Sequence, residues 1–231
     1  MTNILLTGSS RGIGAAIAAA LDGPGVAIAG HGTTSGLPAD FTDPDAPRAL
    51  WDAAVARLGH VDVLINNAGV FEANPIDADD AAWRANWART MQVNLTAAAE
   101  LCRLAVLHWR ARGVPGRIVN VASRAAHRGD SPAHWHYAAS KAGMVAMTKT
   151  IARGYARDGI LAFAICPGFT MTGMAEDYLE SRGGDALLAD IPLGRVAMPD
   201  EVAEMARWLA LDAPASMTGA VLDVNGASYV R

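Results

Sequence analysis

Along the chain, short and fully apolar runs alternate with longer stretches whose apolar residues recur at helical spacing. Asn3 to Thr7 reads as a buried strand, and the glycine-bearing segment Gly8 to Gly14 leads from it into an alanine-rich helix ending near Asp22. Val26 to Ala29 is a second strand. Gly30 to Pro38 is rich in Gly, Thr and Ser and is predicted as a loop, with a short third strand near Ala39 to Phe41. A crossover between parallel neighbours takes about ten residues or more, and this link has barely that length, so its helix is shortened or missing.

Pro44 to Leu58 is helical in pattern, and Val61 to Asn66 is an apolar strand that ends in Asn66-Asn67-Ala68-Gly69. Two helical stretches follow. The second spans roughly Arg89 to Arg112, carries Asn94 in its interior and is broken by Gly113 to Gly116. A strand over Arg117 to Ala122, a helix from about Trp135 to Arg157 and a strand over Ile160 to Cys166, stopped by Pro167-Gly168, come next. A helix over Pro199 to Leu211 and a strand over Ala220 to Val224 close the chain. This alternation predicts an α/β fold: a single-domain, doubly wound (Rossmann-type) parallel sheet with helices on both faces.

The length of 231 residues suits one such domain. The apolar runs span about five to seven residues, against the roughly twenty needed to cross a bilayer, so no membrane span is predicted. The N-terminus enters a strand directly, which predicts a cytoplasmic protein. Cys102 and Cys166 both lie in apolar stretches and read as buried thiols, with no metal site expected. A net charge of −4 without a basic cluster argues against nucleic acid as a partner. Only Lys141 and Lys149 are lysines, so a motif requiring lysine at a set place is hard to meet by accident.

Three features carry chemistry. The turn Thr7-Gly8-Ser9-Ser10-Arg11-Gly12-Ile13-Gly14 lies between a strand and a helix start, where backbone N–H groups and the helix dipole favour a pyrophosphate. Its glycines are spaced GxxxGxG rather than GxGxxG, so alone it is a weak signal. At the end of the second strand, where an acid would hold the ribose hydroxyls of NAD, stands Gly30-His31-Gly32-Thr33-Thr34-Ser35. With His31, hydroxyls and Arg11 there and no repelling carboxylate, NADP(H) is favoured over NAD(H). Finally, Tyr137 and Lys141 are four apart in a helix and share a face, where an ammonium would favour phenolate and bring the phenol into proton-exchange range. Ser123, just beyond the strand ending at Ala122, is placed to hold a substrate oxygen. No GxSxG elbow surrounds it, which speaks against a Ser-His-Asp hydrolase using His127, His134 or His136.

Taken in order, Thr7 to Gly14, Asn66 to Gly69, Asn94, Ser123, Tyr137, Lys141 and Pro167-Gly168 resemble the short-chain dehydrogenase/reductase family, most closely its 3-oxoacyl-acyl-carrier-protein reductase type. The resemblance implies a small-molecule carbonyl or alcohol substrate, with Tyr137 as general acid or base and Lys141 lowering its pKa and binding the nicotinamide ribose. It implies that Ser123 positions the substrate oxygen and Asn94 completes a water-linked proton relay. Gly8, Ser10, Arg11, Gly12, Ile13 and Gly14 would cradle the cofactor, Asp40 and Phe41 would lie beside the adenine, and Asn67, Ala68 and Gly69 along the ribose. Thr170 and Thr172, after Pro167 and Gly168, would meet the carboxamide and phosphates. A homotetramer, or a dimer, built through the two long helices and the last strand is implied as well.

Two departures from the family pattern stand out: the short link between Val26 and Asp40, and Asn225-Gly226-Ala227 where paired glycines are usual. The segment from Gly173 to Arg195, with Met174, Tyr178, Leu187, Leu188 and Ile191, suits a lid over an apolar substrate. Arg124 and Arg128 read as solvated surface arginines rather than contacts to a phosphopantetheine carrier. Rival readings are an NAD-dependent alcohol, sugar or steroid dehydrogenase and a nucleotide-binding regulator without catalysis.

Overall fold

The structure, a computed structural model, describes residues 1–172 and 188–231. Seven parallel strands form one sheet in the order β3-β2-β1-β4-β5-β6-β7. The strands are β1 (Thr2–Leu6), β2 (Val26–Gly32), β3 (Leu37–Pro38), β4 (Val63–Asn66), β5 (Gly116–Val121), β6 (Ile160–Pro167) and β7 (Val221–Val224). The order reverses at β1, so the chain winds outward from the middle in both directions and leaves a crevice at the carboxyl ends of β1 and β4.

Helices cover both faces. Alternate residues of β1 show why: Leu5 packs with α2 (Ala46–Leu58) and α4 (Ala97–Arg112), whereas Ile4 and Leu6 pack with α1 (Gly12–Leu21) and the helix over Pro199–Leu211, here α7. Every residue of β6 is buried, as a strand covered on both sides requires. Of three further helices, α6 (Trp135–Tyr155) packs along β6 through Met144, Val145 and Ile151, and α3 (Asp80–Met91) and α5 (Ala125–Arg128) lie against it.

The link between β2 and β3 differs from the sequence prediction. Gly30 to Gly32 belong to β2, and β3 is Leu37–Pro38 rather than Ala39 to Phe41. The glycines that suggested a loop are there because the Ser9-Ser10 turn lies on the strand. A Cβ on Gly30 would come within 2.6 Å of Ser9 Oγ, and one on Gly32 within 3.3 Å of Ser10 Cβ. The crossover helix is absent. Parallel pairing of His31 with Leu37 and Gly32 with Pro38 is reached through Thr33 to Gly36, with Gly36 at φ +66°. Ala39 to Phe41 form a turn in which Phe41 is buried and Asp40 exposed.

The long helix expected around Asn94 is also interrupted. Between α3 and α4 the backbone makes one π turn, Gln92–Thr96, centred on Asn94. Such turns insert one extra residue into a helix and are frequent at functional sites. The structure describes Leu188 and Ile191 but not Gly173 to Leu187, so Met174, Tyr178 and Leu187, with most of the expected lid, lie outside the described residues. Among the described residues, no helix is long and apolar enough to cross a membrane.

Candidate active site

The first part of the site is the cradle after β1. The backbone is left-handed at Gly8 (φ +66°) and Gly12 (φ +53°), and α1 starts at Gly12 with no side chain capping its free amides. The amides of Gly12, Ile13 and Gly14 are therefore open to an anion. Gly14 has no room for a side chain, since a Cβ there would lie 1.9 Å from the Gly8 carbonyl oxygen. Asn67 props the turn from the next strand: its Nδ2 donates to the carbonyls of Thr7 (3.1 Å) and Gly8 (3.0 Å). Thr7 Oγ1 answers by accepting from the amides of Asn67 (3.0 Å) and Ala68 (3.1 Å). The loop after β6 closes the cradle from the far side, where Thr172 Cγ2 would sit 3.2 Å from a Cβ on Gly12. Pro167 ends β6, Gly168 donates to the Val224 carbonyl, and Thr170 is buried with its hydroxyl on the Gly168 carbonyl (3.2 Å). A glycine-lined turn with free helix amides, faced by hydroxyl groups, fits the pyrophosphate of a dinucleotide.

His31 takes a different place from the one expected of an anion contact. Its ring is 3 % exposed, with Nδ1 accepting from the Gly8 amide at 3.2 Å and Nε2 on the Ala39 carbonyl at 3.0 Å. It stacks on Phe41 at 4.5 Å between centroids. Burial holds its pKa below the ordinary histidine value, so the ring is neutral and serves as a strut under the cradle. On the adjoining rim, Arg11, Thr33, Thr34 and Ser35 are exposed, while the Asp40 carboxylate accepts from the Thr42 amide at 3.0 Å.

The second part gathers Asn94, Ser123, Tyr137 and Lys141 at the carboxyl ends of β4 and β5. Lys141, one turn after Tyr137 on α6, is 4 % exposed and donates to the Val121 carbonyl at 2.9 Å. Its Nζ lies 5.8 Å from the Tyr137 ring centroid and 3.5 Å from where a Cβ of Gly69 would be. Gly69 therefore leaves the approach to Lys141 open. Ser123 is buried, and its hydroxyl accepts from the Ala125 amide at 3.1 Å and lowers the pKa of the neighbouring Tyr137 phenol.

The electrostatics run opposite to the sequence expectation for the tyrosine. The Tyr137 ring is partly exposed but its hydroxyl end is desolvated, and burial pushes the phenol up to about 12 against the pull of Ser123. Lys141 is pushed down to about 8 by its own burial. Desolvation acts on both groups and disfavours both charges, which proximity in sequence could not reveal.

Asn94 is fully buried in the π turn. Its Oδ1 accepts from the Val70 amide (2.7 Å) and its Nδ2 donates to the Val70 carbonyl (2.9 Å), with Ser140 Oγ at 3.4 Å. The amide side chain thus pins the strand-end segment after Gly69 against α6. Ser140, absent from the sequence expectations, links the two by donating to the Tyr137 carbonyl at 2.7 Å. Its one sequence signal is its place beside Lys141 on a helix.

Two more residues stand by the phenol. Phe71 meets the Tyr137 ring edge-on at 4.8 Å and stacks on His134 at 4.0 Å. His134 is expected from the sequence to line or flank the pocket, whereas nothing in the spacing of Phe71 marks it; packing alone brings it there. Arg128 is exposed, as expected of a surface arginine, whereas the Arg124 side chain is largely buried. Both reach Asp190, at 3.5 and 2.6 Å, and Arg124 lies 5.0 Å over Phe169. Among the described residues, His127, Cys166 and Asp223 are the one trio of metal-ligating side chains with donor atoms within 4.8 Å of one another. Asp223 is answered by Arg231 at 3.0 Å, and Cys166 Sγ meets His127 Nε2 at 3.6 Å.

Comparison with known proteins agrees with this architecture. Residues 26–227 match a protein-family model of short-chain dehydrogenases described as enoyl-(acyl carrier protein) reductase. The chain is 35 % identical to 3beta-hydroxysteroid dehydrogenase 1 of Eggerthella lenta, over 96 % of this chain and 92 % of that protein. It is 34 % identical to 3-oxoacyl-(acyl-carrier-protein) reductase of Vibrio cholerae, over 98 % and 96 %. It is 36 % identical to cis-4-hydroxycyclohexanecarboxylate dehydrogenase of Sinomonas cyclohexanicum, over 96 % and 94 %.

Proposed function

The chain belongs to the short-chain dehydrogenase/reductase family, oxidoreductases that interconvert carbonyl and alcohol groups with NAD(P), and from that premise we propose that it is an NADPH-dependent ketoreductase of a 3-oxoacyl-thioester-like or other small apolar ketone. The observation that carries this reading is the grouping of Tyr137, Ser123 and Lys141 beside the glycine-lined cradle. When bound, the nicotinamide supplies the hydride. Tyr137 delivers the proton to the carbonyl oxygen, and a phenol pushed up to about 12 is fully protonated at neutral pH, the form that reduction needs. Ser123 holds the same oxygen as charge builds on it. Lys141, fixed by the Val121 carbonyl, faces the open side of Gly69, where it meets ribose hydroxyls and resupplies the proton. Asn94 completes the water-linked proton relay, and its side chain keeps the segment from Asn67 to Val70 in place.

The preference for NADP rests on the rim of the cradle. Arg11 and the hydroxyls of Thr33, Thr34 and Ser35 are exposed where a carboxylate would favour bare ribose hydroxyls, and His31 contributes by supporting Gly8. Cytoplasmic residence and a homotetramer, or a dimer, assembled through α4, α6 and β7 belong to the same proposal. Light scattering on the purified protein reads the assembly.

The test is an NADPH and NADH oxidation screen against ketones and acetoacetyl thioesters, with a crotonyl thioester included because the matching family model is described as an enoyl reductase. Carbonyl-dependent oxidation with NADPH preferred is the expected result. Crotonyl reduction alone would put the enoyl reading first. Clear NADH preference with faster alcohol oxidation would favour the dehydrogenase reading that several relatives' names suggest. No turnover of any carbonyl would leave a nucleotide-binding regulator. Tyr137→Phe is expected to lower turnover by about 10²- to 10⁴-fold while NADPH binding persists, since only the proton donor is lost.

A further inference from the structure

Six rings run from α3 to the phenol of Tyr137. Trp83 and Trp87 stack at 5.3 Å, Trp87 meets His136 at 6.3 Å, and His136 faces His134 at 6.4 Å. His134 in turn stacks on Phe71 at 4.0 Å with planes 3° apart, and Phe71 stands against Tyr137 at 82°. Three separate elements supply them: α3, the loop after β4 and the start of α6.

Polar ties hold this wall rigid. Asn94 fixes both backbone groups of Val70, and Arg89 pairs with Glu72 at 3.2 Å, so Phe71 is held from each side. Asn74 donates from its amide to the Ala133 carbonyl (2.8 Å) and from Nδ2 to the Trp83 carbonyl (3.0 Å), joining the loop to the other two elements. Phe71 is nevertheless 37 % exposed, so a flat apolar surface is presented to a molecule whose carbonyl reaches Tyr137. His134 has Nδ1 at 2.7 Å from Ser131 Oγ, and burial lowers its pKa, which disfavours a charge on this ring.

The flank on the Ser123 side is built differently. Arg124 and Arg128 share Asp190, Arg128 also donates to the Ser228 carbonyl, and Arg124 covers Phe169. Arg124 is largely buried over Phe169, while Arg128 and Asp190 lie at the surface, so a phosphodiester arm held there would compete with their ion pair.

From the rigid aromatic wall and the paired arginines, we infer that the cleft beside Tyr137 takes a compact carbocyclic ketone, or the matching ring alcohol, in preference to a carrier-bound open-chain acyl thioester, with Phe71 as the residue that sets the preference. This rests on the ketoreductase reading above. A ring lies against Phe71 with little internal freedom to lose, whereas a flexible acyl chain must be ordered to use the same surface.

The experiment measures kcat/KM of the full chain with saturating NADPH on cyclohexanone, 4-methylcyclohexanone and acetoacetyl-N-acetylcysteamine. The ring ketones should exceed the thioester by about tenfold or more, the scale on which apolar pocket contacts discriminate. Phe71→Ala should cut the ring-to-thioester ratio at least about fivefold, mainly through KM, and Phe71→Trp should keep it. General damage to the fold lowers both substrates together and leaves the ratio unchanged, so an unchanged ratio in Phe71→Ala overturns the assignment to Phe71. A thioester used as well as the rings overturns the substrate class while leaving the ketoreductase standing. Absence of any carbonyl turnover overturns the ketoreductase and this inference with it.

Discussion

Lys141 is the residue whose environment has the clearest measurable consequence. Its folded-state pKa of about 8 lies below the ordinary 10.5 because the ammonium is buried. Between those values the unfolded chain binds a proton that the native chain does not, so native stability climbs as pH rises from about 8 towards 10. The penalty relieved is on the order of 1–3 kcal/mol. Tyr137 acts with the opposite sign from about 10 to 12, where the unfolded phenol ionises and the native one does not. Cys102 and Cys166, buried thiols pushed up to about 12 and about 11, act with the opposite sign above about pH 9, so the Lys141 contribution is read as a difference: in urea titrations of the cofactor-free protein at pH 7.5 and pH 9.5, raising the pH should favour the native chain more than it favours Lys141→Met. A second residue-scale effect lies at Ala227, which has φ +64° next to Gly226 at φ +63°. The backbone keeps the left-handed shape that paired glycines would adopt, and alanine bears its steric strain. Ala227→Gly should raise stability by about 0.5–1 kcal/mol, seen as a higher Tm, and a lower Tm would show that the strain is relaxed elsewhere.

At the scale of elements, the join between helix and sheet depends on two contacts. Trp109 of α4 is fully buried, donates from Nε1 to the Val61 carbonyl at 2.7 Å, and lies flat on Gly116 at the start of β5. A Cβ at Gly116 would come within 2.1 Å of the indole, so Gly116→Ala should cost about 1–3 kcal/mol in denaturant titration. In the π turn, Asn94→Ala strands both backbone groups of Val70 and should cost about 1–3 kcal/mol, with carbonyl reduction falling further than the loss of folded protein explains. Strands β1, β4, β5 and β6 were legible because each carries a short apolar run, such as Ile4 to Leu6 or Ile160 to Cys166, between polar, glycine or proline residues. The π turn was not, since one extra residue in an alanine-rich helix leaves the apolar pattern almost intact. β3 was misplaced because Gly30 and Gly32 signal a turn when read alone, yet they serve the packing of Ser9 and Ser10.

Over the whole molecule, the candidate site was legible wherever it depends on order along the chain. The cradle, Ser123, Tyr137 and Lys141 follow from strand-turn-helix grammar. What remained hidden depends on pieces distant in sequence meeting in space: His31 turned inward under Gly8, the aromatic wall from α3 to α6, and Asp190 holding Arg124 and Arg128. The sign of the tyrosine shift was hidden for the same reason, since desolvation is set by packing rather than spacing.

The brief β3 strand has a consequence for how copies of the molecule meet. A sheet edge is a row of free amides and carbonyls that can template another strand. On the β3 side that row is only two residues long, and one of them is Pro38, which has no amide to give. On the other side β7 offers four residues in an unbroken strand. Arg231 lies over part of that edge, on the Val221 carbonyl and Asp223. Were two copies to pair through β7 about a two-fold axis, that edge of both would be used at once, and a continuous ribbon of sheets would have no second edge from which to extend.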